Sequence, residues 1–196
     1  MEPKRGLLWA GIGALSLSAL GAIFIFLFGK FGELEVRLLL TALTIGWYSM
    51  CASATFGFHE KDLGFITVIG VVISVVGAFT ALHEIWFPSW DFWGDDLRAV
   101  FFFLVVSFSI AHSALLLKMQ FGSGSRWVSG INITTMVVVW CIAGMLTWLI
   151  FSDNWLDFSE FFFRLLASLV VLDLLGTILA PTVKKLTAQT SGGNHA

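Results

Sequence analysis

One carboxylate, Asp173, sits in the middle of the run RLLASLVVLDLLGTILAP, residues 164–181. A charge at the centre of a membrane helix costs about 2.5–3.5 kcal/mol on insertion scales, so such a residue turns toward other helices and is neutral or paired. Gly176, Thr177 and Ala180 follow on the same side. They make a narrow stripe suited to close contact with a neighbouring helix. His112, in SFSIAHSALLL, is the nearest ionisable candidate. Counted from the inner helix ends, it lies about five residues shallower than Asp173, a depth offset of about 7 Å at the helical rise. That offset favours a bridging water over a direct hydrogen bond. Ser49, Ser109 and Thr177 complete the expected polar centre. Two chemistries suit it: a lock on helix register, or a proton- or cation-linked transport site.

Other chemistry is sparse. HEKD, residues 59–62, lacks the HExxH spacing of a zinc site. There is no GxSxG, no phosphate-binding glycine loop and no cysteine pair at metal spacing. Haem between two histidines would have to use His59 and His112, whose depths differ by roughly four residues, or about 6 Å. No cofactor or metal is therefore expected. Cys51 and Cys141 fall in helices at different depths, which disfavours a disulfide and suggests two small apolar fillers. The basic residues are too few and scattered for nucleic acid. Gly11, Gly13, Gly70 and Gly77 are expected as packing glycines.

The elements that must position these residues follow from composition. The 196 residues are 58% hydrophobic and 12% charged, against about 25% charged in globular domains. Six apolar runs of membrane-spanning length occupy roughly 7–28, 37–58, 63–85, 97–118, 127–151 and 160–182. They lack the alternation of barrel strands, so the expected fold is an all-α, polytopic membrane helix bundle in one domain, 1–182. Residues 183–196 read as a disordered cytoplasmic tail. The first run is too long for a signal-peptide core and reads as a retained helix.

Lys and Arg set the expected orientation. Seven lie on one side (residues 4, 5, 61, 118, 126, 184 and 185) and four on the other, which puts both termini in the cytoplasm. The outer loops collect most of the acids and Trp86, Trp90, Trp93 and Trp155. They suit an interfacial belt, or docking of another membrane protein. Three of these loops run from aromatic residues through acids to one arginine. Arg37, Arg98 and Arg164 recur at spacings of 61 and 66 residues, and Glu33, Asp95 and Glu160 precede them by four, three and four. These acid–Arg pairs read as local interfacial anchors rather than a convergent anion site. The recurrence suggests three repeated helical hairpins.

The stretches FSIAHSALLL and LDLLGTILAPTVKKL resemble a family of uncharacterised small bacterial six-helix integral membrane proteins. The resemblance implies a bacterial inner-membrane location and carries no activity. With short loops and no catalytic motif, the sequence points to a non-enzymatic interaction or accessory subunit of a membrane complex. A small transporter or channel centred on Asp173 and His112 comes second. A haem or quinone protein comes third.

Overall fold

The computed structural model describes residues 32–55, 64–87, 95–121, 126–152 and 159–192, with scattered positions between 6 and 23. For 95–96, 120–121, 126–127 and 184–192 it describes the backbone alone. The scattered positions of the first run are helical, and we label that run α1. Five further helices follow: α2 (Glu33–Thr55), α3 (Gly64–Trp86), α4 (Asp95–Phe121), α5 (Arg126–Phe151) and α6 (Glu160–Gly192). There is no strand among the described residues.

All five are long and apolar enough to cross a membrane. Hydrophobic residues surround each of them, as they do in helices whose outward side meets lipid. Helix is the regular structure of the described residues, and the five apolar helices are those of a multi-pass membrane protein. The ends of α2 to α6 lie within four residues of the expected spans, with one exception. The stretch 183–192, expected as a tail, continues α6 through Pro181 to Gly192. Proline removes one backbone donor, and membrane helices tolerate that when hydroxyls and neighbouring turns satisfy the freed groups. Here Thr182 Oγ1 donates to the Ile178 carbonyl at 2.9 Å. Lys184, Lys185, Leu186 and Ala188 are all strong helix formers.

Two compact units divide the chain, 1–111 and 112–196, with the division inside α4. In the first unit α2 and α3 form an antiparallel hairpin. Gly70 meets Thr55, and Gly77 meets the Tyr48 ring and Phe103, so closely that an added Cβ would collide at either place. Thr67 Oγ1 donates across the hairpin to the Thr55 carbonyl at 2.9 Å. Tyr48, Cys51, Ala52 and Ala81 form the buried apolar layer. In the second unit α5 packs on α6. Gly176 lies against Thr135, where a Cβ would again collide. Val128, Asn132, Thr135, Val139 and Ala143 are the buried stripe of α5. Of the expected packing glycines, Gly70 and Gly77 are packed. Gly13 has open space beside it, and Gly11 lies outside the described residues.

Candidate intramembrane polar site

The second unit brings His112, Asp173 and Thr177 together. Asp173 and Thr177 are one turn apart on α6, and His112 reaches them from α4. His112 Nε2 lies 3.3 Å from Asp173 Oδ1, with the two side chains 15% and 16% exposed. The same nitrogen lies 3.2 Å from Thr177 Oγ1. Thr177 Oγ1 donates to the Asp173 backbone carbonyl at 2.8 Å. Asp173 Oδ1 is fully buried and has no hydrogen bond of acceptable geometry.

The direct approach corrects the expected water bridge. Depth counted along the chain compares Cα positions and omits side-chain reach. Helical side chains lean toward the helix N-terminus. The imidazole is the longer of the two, so His112 reaches back toward Asp173 and closes the gap.

Ser49 and Ser109, expected in the same centre, belong to the first unit. Ser49 is half-buried on α2. Ser109 is buried on α4, and its Oγ donates to the Val105 carbonyl at 2.8 Å. Most hydroxyls in these helices do the same. Thr41, Thr80, Thr134, Thr135 and Ser168 each donate to the carbonyl four residues back. Such bonds let a hydroxyl sit in an apolar helix with no partner on another element. Their presence therefore marks no site.

Sequence reasoning missed Asn132, which is 0% exposed. Its Nδ2 donates to the Leu116 carbonyl at 3.2 Å, tying α5 to α4. An amide inside an apolar run was the available signal, by the same argument that singled out Asp173. Cys51 is buried and Cys141 exposed, both as free thiols. The expectation that Cys141 is a buried filler is thus corrected. It borders an open apolar groove on α5 with Ile133, Met136, Val137 and Trp140.

Two expected acid–Arg pairs are formed. Arg37 Nη2 donates to Glu33 Oε1 at 2.5 Å, and Arg164 Nη2 to Glu160 Oε1 at 2.7 Å. The side chain of Asp95, the expected partner of Arg98, lies outside the described residues. Arg37 does more than its sequence position suggests. Its Nη1 donates to the Trp86 carbonyl at 3.3 Å, and Trp86 Nε1 donates to Thr41 Oγ1 at 3.2 Å. The end of the α2–α3 hairpin that carries Arg37 and Trp86 is thereby latched. Acids in the first turn, Glu33 and Glu35, oppose the positive helix end. Glu35 also folds back over Gly32, as the third residue of a capping box does.

His59, the second histidine of the unfavoured haem pair, lies outside the described residues, as do Trp90, Trp93 and Trp155. No group of three His, Cys, Asp or Glu side chains suited to a metal occurs among the described residues.

No protein-family model, curated protein or solved structure matches this chain. The resemblance to small bacterial membrane proteins accordingly rests on the two stretches that carry it, in α4 and α6.

Proposed function

We propose that this chain is a non-enzymatic subunit of a membrane complex, seated in a bacterial inner membrane with both termini in the cytoplasm. One observation carries the reading: the ionisable pair bridges two helices of this chain, α4 and α6. The groove seen on α5, lined by Ile133, Met136, Val137, Trp140 and Cys141, is apolar and open. Connections between the helices from α2 to α6 are at most eight residues long, too short for a catalytic lid or domain. Outward, α6 presents Leu172, Leu174, Leu175, Ile178 and Leu179 to lipid or to another chain. The partner would dock on the outer side, to which the sequence assigns Trp86 and the acid-rich loops.

The test is a mild extraction from native membranes, with co-purifying proteins and pigments quantified together. A stoichiometric membrane-protein partner is the expected result. A colourless, partner-free protein would overturn the reading.

A second reading, proton-linked transport, is favoured by one observation. Asp173 Oδ1 is a buried acceptor without a hydrogen bond, 3.3 Å from an imidazole nitrogen. An ionisable residue within a membrane is a candidate for ion or proton movement. Transport of protons in proteoliposomes, abolished by Asp173→Asn, would establish it.

A further inference from the structure

We propose that His112, Asp173 and Thr177 form a proton-binding site, in which the proton is held on His112 Nε2 and Thr177 is the positioning residue that selects that nitrogen as donor. The inference needs neither reading above and holds for a subunit or a transporter.

Thr177 has a single hydroxyl hydrogen. The acceptor it meets at the shorter distance is the Asp173 backbone carbonyl, 2.8 Å away along α6. What Thr177 Oγ1 has left is lone pairs, which only accept. That oxygen lies 3.2 Å from His112 Nε2. A bare Nε2 would set one lone pair against another at that distance, so Nε2 carries a hydrogen and donates it. Threonine at this place on the helix thus reads out the imidazole tautomer through the backbone bond that orients its own hydroxyl.

The carboxylate completes the site. Asp173 Oδ1 is 3.3 Å from the same nitrogen but off the N–H direction. One hydrogen therefore faces two acceptors on α6, aimed at Thr177 and one small ring rotation from Asp173. In the opposite arrangement a protonated Asp173 would donate to a bare Nε2, and Thr177 Oγ1 would then face a lone pair. The geometry disfavours it. The other ionisable residues of these helices stand at other positions along them: Asp95, Asp96, Arg98 and Lys118 toward the ends of α4, and Arg126 at the start of α5. Glu160, Arg164, Lys184 and Lys185 flank the span of α6, and Cys141 is on the exposed face of α5.

The full chain, labelled with ¹⁵N-histidine in lipid nanodiscs, tests this by solid-state NMR, with His112 assigned by the signal lost in His112→Gln. The expected wild-type result is a protonated Nε2, retained in Thr177→Ser. Thr177→Val should lose the exclusive Nε2–H signal and add a population protonated on Nδ1 alone. A bare Nε2 in the wild type would overturn the site. An unchanged tautomer in Thr177→Val would remove Thr177 from it. The wild-type spectrum alone tests the proton's position, so the inference survives a variant that does not fold.

Discussion

The α2–α3 hairpin and the α5–α6 pair solve the same packing problem with different residues. In each, a glycine lets a threonine side chain from the facing helix come close: Gly70 under Thr55, and Gly176 under Thr135. Lipid offers no hydrophobic drive for helices to associate, so close contact and interhelical hydrogen bonds must supply it. The α2–α3 hairpin adds a tyrosine ring over Gly77 and a threonine–carbonyl bond. Its ion pair, Glu33–Arg37, is at the end of the hairpin, and Gly70, Gly77 and Thr67 make the contacts further along. Beside α5 and α6, by contrast, a histidine from α4 meets an aspartate. Glycine packing is already present there, so the pair adds something that contact alone does not require. The comparison separates what holds these helices together from what is a candidate for function.

The largest expected effect breaks the second region. Asp173→Leu leaves His112 without its carboxylate and should cost about 3 kcal/mol or more, by analogy with buried pairs that lose one member. The double variant His112→Leu/Asp173→Leu should return close to the parent in thermal unfolding of the purified protein, because removing both members also removes the desolvation penalty. If the double variant were as unstable as the single one, the pair would be more than an ionic clasp.

Next comes the glycine seam of the first region. Gly77→Val must displace the Tyr48 ring and the base of Phe103, a cost of about 1–3 kcal/mol for an overpacked core. Detergent unfolding should place it well below wild type, and a neutral result would mean that the hairpin is looser than described. Thr67→Val removes the bond to the Thr55 carbonyl and should cost about 0.6–2 kcal/mol, the range for interhelical polar contacts in membranes. The smallest effects are at the helix ends that carry the acid–Arg pairs. Glu160→Gln should change stability by roughly 0.5 kcal/mol or less, as an exposed i,i+4 pair does. Arg37→Ala should exceed it, since Arg37 also holds the Trp86 carbonyl. Equal values for the two would show that the Trp86 contact contributes nothing.

Much of this architecture was legible in the chain. The spans at 63–85 and 127–151 differ from α3 and α5 by one residue at most at either end. Asp173, His112 and Thr177 were recognisable as candidates because a polar atom in an apolar run must find a partner. Glu33–Arg37 and Glu160–Arg164 were legible for a related reason: spacing of four on one helix brings side chains together whatever the rest of the fold does. Ser109 was misread because a hydroxyl in a helix has a partner available on its own backbone, which the sequence does not distinguish from one across the bundle. The helical continuation past Pro181 was also hidden, since a proline ends some helices and is absorbed in others.

The sequence alone determined the number of residues each span needs and where the spans fall. Those quantities are local: hydropathy over about 20 residues set against a bilayer of about 30 Å. Only the tertiary structure decided that His112 touches Asp173 directly, that Thr177 completes the contact, and that Arg37 reaches Trp86. These depend on helix neighbours, rotation about the helix axis and side-chain reach. A shift of a few ångströms in any of them separates a hydrogen bond from no contact, and no spacing along a single chain records it.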